Sequence, residues 1–212
     1  MSKEQKRDIL KHIYLKYIVG YDDPNRYWDK RWDLALKTEV WREGKAARYQ
    51  SVITEIMKNH DCKNILEIGC GQANLRSLKG YTGLDFSIGA LKPSGLKEFI
   101  YADISNHIPL PDKTFDAALS IMVLLHIPPN KIDNAIKEIS RITKRAIILN
   151  EPLNHFEGEM QKHNFSHDLV GLFAKYFDGY VAFINEEGVV KELNCAHTES
   201  LNHKSKAQKT KL

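Results

Sequence analysis

Two glycines two residues apart, Gly69 and Gly71, follow directly on the apolar run Ile65-Leu66-Glu67-Ile68. The run reads as a short buried parallel strand. The glycines read as a turn whose backbone can approach a ligand where any Cβ would collide. Acids recur where the chain leaves an apolar run: Glu67 just before the turn, Asp85 at the end of Tyr81–Asp85, Asp103 after Glu98–Ala102, and Glu151 after Arg145–Asn150. His126 follows the run Ala117–Val123 and belongs to the one residue type whose ordinary pKa, about 6.5, suits proton transfer near neutrality. These residue types can cradle a polar cofactor, accept hydrogen bonds from a ribose diol and move one proton.

The spacing narrows the cofactor. A dinucleotide turn asks for Gly or Ala five residues after its first glycine, and Asn74 stands there. The acid two before the first glycine, and the small Ala73 two after the second, fit another pattern. The stretch Glu67-Ile68-Gly69-Cys70-Gly71-Gln72-Ala73 resembles the E/D-x-G-x-G-x-G loop of class I S-adenosylmethionine (SAM) dependent methyltransferases, with Ala73 in place of the third glycine. Ala73 is expected to be tolerated there with φ below zero. Phe115-Asp116-Ala117-Ala118-Leu119-Ser120 and Leu125-His126-Ile127-Pro128 look like the corresponding stretch of the broad group of small-molecule and general methyltransferases. The Asn/Asp-Pro-Pro-Tyr/Phe motif of amino-directed nucleic-acid methyltransferases is absent from this place.

The resemblance covers about 64–193 and implies a cofactor site of Glu67, Gly69, Cys70, Gly71, Asp85, Phe86, Asp103, Ile104 and Ser120. SAM would set its methionine end against the Gly69–Gly71 turn, its ribose on Asp85 and its adenine near Asp103 and Ile104. Glu67 would orient the loop and the methionyl ammonium. His126 is the candidate catalytic base. Each acid also has a plainer reading: Asp85 capping the next turn through Ser87, and Asp103 making an Asx turn. His126 has one too, holding its own turn by a hydrogen bond.

Strands and helices must alternate to bring these residues together. After a helical stripe over about 3–19, Gly20 marks a stop. An aromatic region follows with Trp28, Trp32 and Trp41, read either as aromatic helix packing on the sheet or as a lid over the substrate. A second helix is expected over 38–59, with Arg42 and Arg48 as solvated charge or as carboxylate ligands. Residues 75–79 read as a short helical piece. Strands are expected at 65–68, 81–85, 98–102, 117–123 and 145–150, with a helix capped by Asn130 carrying Ile132, Ile136, Ile139 and Ile142. His155, His163 and His167 sit in a loop that carries no evident third metal ligand, so no metal is expected. Ser166 reads as the N-cap of a helix over 167–176. Strands 180–184 and 189–193, joined by Asn185-Glu186-Glu187-Gly188, read as a hairpin. The expected architecture is α/β: a doubly wound, mostly parallel seven-stranded sheet of the Rossmann-like methyltransferase type, with an N-terminal helical cap and a C-terminal antiparallel hairpin. It would form one domain over 1–198, of which 1–60 is the cap and 61–198 the core.

The 212 residues, 42% of them hydrophobic, suffice for one core, and the formal charge of +4 is concentrated in the Lys-rich tail 199–212, read as disordered. Three cysteines without a C-x-x-C pair point to a reducing cytoplasm. The amino terminus shows no signal-peptide pattern. The longest apolar run, 117–127, is interrupted by Ser120 and His126 and falls short of the roughly 20 residues a membrane helix needs. The expected activity is methyl transfer from SAM to a small-molecule oxygen or nitrogen acceptor. The alternatives are an RNA- or protein-modifying methyltransferase, a non-catalytic SAM-binding subunit and a nicotinamide-dependent oxidoreductase.

Overall fold

The computed structural model of the chain describes residues 23–38, 48–152 and 163–195. The expected helix at 3–19, Trp41, Arg42, His155 and the basic tail lie outside the described residues. In chain order the helices and strands are α1 (Pro24–Thr38), α2 (Gln50–Asn59), β1 (Ile65–Ile68), β2 (Tyr81–Asp85), α3 (Ile88–Leu91), β3 (Ile100–Tyr101), β4 (Phe115–Ile121), α4 (Ile132–Ile142), β5 (Thr143–Asn150), α5 (Leu169–Tyr176), β6 (Tyr180–Ile184) and β7 (Val190–Asn194).

The strands form one seven-stranded sheet in the order β3-β2-β1-β4-β5-β6-β7. Every pairing is parallel except that of β6 with β7. A strand flanked on both sides and covered on both faces is apolar nearly throughout, and β1 is buried at all four positions, Glu67 included. One face carries Leu66, Ile68, Ala118, Ile147, Leu149 and Val181 against α4 and α5. The other carries Ile65, Ala117, Leu119, Ala146, Ile148 and Ala182 against α2. The sheet is therefore doubly wound, with helices on both faces as expected. The strand order reverses at β1 and β4, where open α/β sheets part to admit ligands at the strands' carboxyl ends.

Several boundaries differ from those expected, for local reasons. Residues 75–79 form turns, with Ala73 N–H donating to Cys70 O (2.8 Å), Arg76 N–H to Ala73 O (3.1 Å) and Leu78 N–H to Leu75 O (2.9 Å). Left-handed backbone at Gly71 and Ala73 interrupts any continuous helix there. β3 keeps only two residues at the sheet's edge. β4 ends at Ile121 because Met122 turns left-handed, at φ +56°. Asn130 caps nothing: α4 begins at Ile132, and Pro128 O takes the N–H groups of Lys131 (2.8 Å) and Ile132 (3.1 Å). Asp168, rather than Ser166, caps α5 by accepting from Gly171 N–H at 2.9 Å.

Cys62, Cys70 and Cys195 are all buried thiols. Among the described residues no helix is long and apolar enough to cross a membrane. Phe173 of α5 is wholly buried between that helix and the sheet. Phe173→Ala is expected to lower the free energy of unfolding by about 3–5 kcal/mol, to be measured by urea titration. A loss under about 1 kcal/mol would mean that α5 contributes little to the core.

Candidate functional site

The glycine turn is left-handed at both glycines, Gly69 at φ +61° and Gly71 at φ +53°. Each is also tightly faced. A Cβ on Gly69 would lie 2.6 Å from Val123 Cγ2, and one on Gly71 would lie 2.6 Å from Trp32 Cζ2. Ala73 does not keep φ below zero as expected; it is left-handed at φ +53° with its methyl fully buried. An L-residue there costs about 1–2 kcal/mol, which the turn hydrogen bonds around it offset.

Cys70 N–H donates to Leu84 O at 2.9 Å, tying the turn to the end of β2. The Cys70 side chain points beneath the loop, its sulfur 2.7 Å from where a Cβ on Gly83 would lie. Burial holds this thiol protonated, well above its usual pKa. Glu67 faces the same buried layer and accepts a hydrogen bond from the Tyr81 hydroxyl. Burial pushes the Glu67 pKa up to about 8, against the Tyr81 hydrogen bond, and the nearby Asp85 charge adds to the rise. At neutral pH its carboxyl is mainly uncharged, which suits a structural bond to Tyr81 better than a countercharge for an ammonium.

Asp85 is buried at the end of β2 and joins two elements. Its Oδ2 accepts from Gly71 N–H (2.9 Å) and its Oδ1 from Ser87 N–H (2.9 Å). Burial raises its pKa, and the N–H groups of Ser87, Gly71 and Phe86 oppose that rise. Each carboxylate oxygen can accept a further bond, so capping the turn does not exhaust the residue. Phe86 beside it is half-buried. Asp103 is turned into its own loop. Its Oδ1 accepts from Ser105 N–H (2.9 Å) and Ser105 Oγ (2.7 Å), and its Oδ2 from Asn106 Nδ2 (3.0 Å). That is the plainer Asx-turn arrangement, with one acceptor position left on Oδ2. Ile104 is buried in the core with Leu84 and Ile108.

At the end of β4, Ser120 donates to Glu151 Oε1 at 2.8 Å. The same oxygen takes the N–H groups of Val123 (2.7 Å) and Leu124 (3.0 Å), and Oε2 lies 3.5 Å from Leu125 N. Glu151 therefore builds the turn that presses Val123 against Gly69 and presents His126. The sequence placed Glu151 on this edge without a role; a carboxylate directly after a buried strand was the signal. His126 Nδ1 lies 2.9 Å from His163 O. A carbonyl only accepts, so Nδ1 carries the proton and Nε2 is the ring's acceptor nitrogen. Burial pushes the His126 pKa down to about 4, the hydrogen bond to His163 opposing.

Through its described side chains helix α1 packs on the loops at these strand ends. Trp28 meets the His126 ring edge-on at 4.7 Å, with the Arg31 guanidinium 5.2 Å above the indole. Arg31 Nη1 donates to the Tyr27 hydroxyl (3.2 Å), which reaches His163 Nε2 at 3.4 Å. His167 Nε2 bonds Ile127 O at 2.9 Å. Asp29 Oδ1 accepts from Ser87 Oγ (2.5 Å) and Gly89 N–H (3.1 Å). Thus Gly69, Gly71, Asp85, Ser120 and His126 line one edge, while Cys70 and Glu67 lie below it and Asp103 closes a separate loop. Asp29, Trp32 and Glu151 belong to this edge only through tertiary contacts.

A separate depression at the opposite, amino edge is lined by His60, Asp61, Lys144, Arg145 and Tyr180. Its charges pair among themselves and with neighbours, Lys144 with Asp116 (3.3 Å) and His60 with Glu192 (3.1 Å), so it holds no group poised for chemistry.

Residues 66–149 match the family model described as a methyltransferase domain. No curated protein matches the chain. Among solved structures the chain is similar to the cyclase SpnF, at 21% identity over 65% of this chain and 58% of that one, with a TM-score of 0.49. It is similar to a candidate S-adenosyl-L-methionine-dependent methyltransferase from Methanococcus maripaludis, at 16% identity over 73% and 63%, TM-score 0.46. It is also similar to a SAM-dependent methyltransferase from Archaeoglobus fulgidus, at 19% identity over 46% and 51%, TM-score 0.37. The chain spans less than two thirds of the length of each.

The raised pKa of Glu67 carries a sign. The folded state holds this proton where the unfolded chain has released it, so stability falls as pH rises from about 4.5 to about 8 and levels above. Glu67→Gln keeps an acceptor for Tyr81 and removes the proton. In urea titrations across pH 5–9, the variant is expected to lose less stability than the parent chain over that window. Parallel curves would place the Glu67 pKa near its ordinary value.

Proposed function

We propose, from the match of residues 66–149 to the model of a methyltransferase domain, that this chain binds SAM and transfers its methyl group to an oxygen or nitrogen of a small organic acceptor. The observation that carries the reading is the buried Asp85 carboxylate joined to the N–H of Gly71 at the sheet's switch point. The residues present fit the cofactor. A doubly left-handed glycine turn, a carboxylate with acceptor positions to spare and a second acid on the next strand offer the groups that a ribose, an adenine and a methionyl end require. Gly69 and Gly71 would take the methionine end and Asp85 the ribose. Asp103, through Oδ2, and Ile104 would lie near the adenine, with Phe86 and Ser120 flanking.

When bound, SAM supplies a methyl carbon already activated by its sulfonium. What remains for the protein is alignment of the acceptor and exclusion of water, a positional effect that supplies several kcal/mol. Glu151 fixes the turn that carries His126, and Trp28 covers that ring before SAM binds. His126, neutral at pH 7, would receive the acceptor's proton at Nε2. Burial that lowers its pKa to about 4 makes the ring a weaker base than an ordinary histidine, so its contribution rests on its position beside the acceptor.

Calorimetric titration is expected to detect binding of SAM and of its demethylated product, weakened about tenfold or more in Asp85→Ala, the size of a lost charged hydrogen bond. Equal affinity in a folded variant would remove the ribose role of Asp85, and no binding by the folded parent chain would remove the enzymatic reading. With an acceptor identified, His126→Ala is expected to slow transfer at least tenfold with SAM affinity retained. Unchanged turnover would reduce His126 to a residue that holds its turn.

A further inference from the structure

The glycine at position 71 opens one side of the backbone to close approach, and a side chain of this chain already takes that approach. Atoms Cζ2 and Cη2 of Trp32 lie 2.6 and 2.8 Å from where a Cβ on Gly71 would stand, so the indole edge rests on the backbone of the turn. This is the place assigned above to the methionine end of SAM. The indole and the ligand cannot share it.

Helix α1 is fastened in this position by a polar latch and an aromatic one. The latch is Asp29, whose Oδ1 takes the Ser87 hydroxyl and the Gly89 N–H. Gly89 is itself matched to it, since a Cβ there would stand 3.2 Å from the Asp29 oxygen. Ser87 in turn gives its N–H to Asp85, so the latch closes beside the acid read as the ribose ligand. The second fastening is Trp28 against His126. Asp29 is exposed and Trp32 is half-buried. Tyr27 adds a third contact, buried with its ring 4.9 Å from His163, so the Asp29 latch is the fastening that lies at the surface.

We propose that Trp32 is a displaceable plug in the cofactor site, held by the Asp29 latch, and that SAM binds by levering α1 off the glycine turn. This rests on the cofactor reading given above and adds to it that the closed form competes with SAM. The apparent affinity is then the intrinsic affinity scaled by the fraction of chains in which the plug has lifted. Once displaced, the same helix face is free to meet the acceptor, so opening for the cofactor and forming the acceptor side become one movement.

The test is calorimetric titration of SAM into the full chain and into Trp32→Ala and Asp29→Ala, with tryptophan emission followed in parallel in the parent chain and Trp32→Phe. Removing the plug is expected to tighten SAM binding about tenfold or more, and removing the latch to tighten it by a smaller factor. SAM is expected to shift parent emission to longer wavelength as the indoles of α1 enter water, and Trp32→Phe is expected to lose the part of that shift that Trp32 contributes. Equal or weaker binding by a folded Trp32→Ala would overturn the proposal and make Trp32 a wall of the cofactor pocket, leaving the methyltransferase reading intact. Should Trp32→Ala fail to fold, Asp29→Ala decides, and weaker or unchanged binding there overturns the latch and plug together. Absence of SAM binding in every folded variant would sink the cofactor reading and the plug with it.

Discussion

One buried carboxylate holds the functional edge together. Asp85 accepts from the glycine turn through one oxygen and from the start of α3 through the other, and Ser87, which it positions, receives α1 through Asp29. The turn, the short helix and the covering helix thus share a single anchor at the end of β2. An acid in that position is costly to bury, and backbone N–H groups offset the cost by favouring its charged form. A neutral residue of the same shape would still fit, but it would bind those donors less strongly and leave the turn less determined.

Three buried acids, one within β1, one at the end of β2 and one directly after β5, meet the same desolvation in three ways. Glu67 keeps its proton and bonds a tyrosine. Asp85 takes two backbone donors and keeps capacity for a ligand. Glu151 takes a hydroxyl and the N–H groups of a whole turn and becomes part of the framework. Residue type alone does not distinguish a ligand-binding carboxylate from a structural one. The donors already committed to it separate Glu151, whose oxygens serve a whole turn, from Asp85, which retains an acceptor position on each oxygen.

Much of this was legible in the chain. The apolar runs at 65–68 and 81–85 are strands with the expected bounds, and the glycines of the first turn are left-handed. The closing hairpin was legible from two short strand-forming runs joined by a turn that ends in Gly188. What periodicity could not supply was competition among local choices. Asn130 is a good cap by type, yet Pro128 O serves the helix start instead. Ala73 is left-handed despite its methyl because the hydrogen-bonded turn around it determines its backbone. The structure shows the plainer readings of Asp85 and Asp103, and the cofactor readings are compatible with them because an Asx turn leaves some carboxylate capacity unused. The packing of Trp32 on Gly71 has no local signature: the two lie 39 positions apart and meet only after the sheet has formed.

The strand order also sets when the functional edge can exist during biosynthesis. β1 pairs with β2 only 16 positions along the chain, at Ile65 and Tyr81, but with β4 at a separation of 52, at Ile65 and Ala117. Local pairings form early and distant ones must first close a long loop. The β1 edge that meets β4 cannot be paired until β4 has been synthesised. The glycine turn sits on that late seam. Until the seam closes, Val123 is not yet against Gly69 and the cradle has only one wall, so the capacity to hold a cofactor arises with completion of the sheet's centre and not before it.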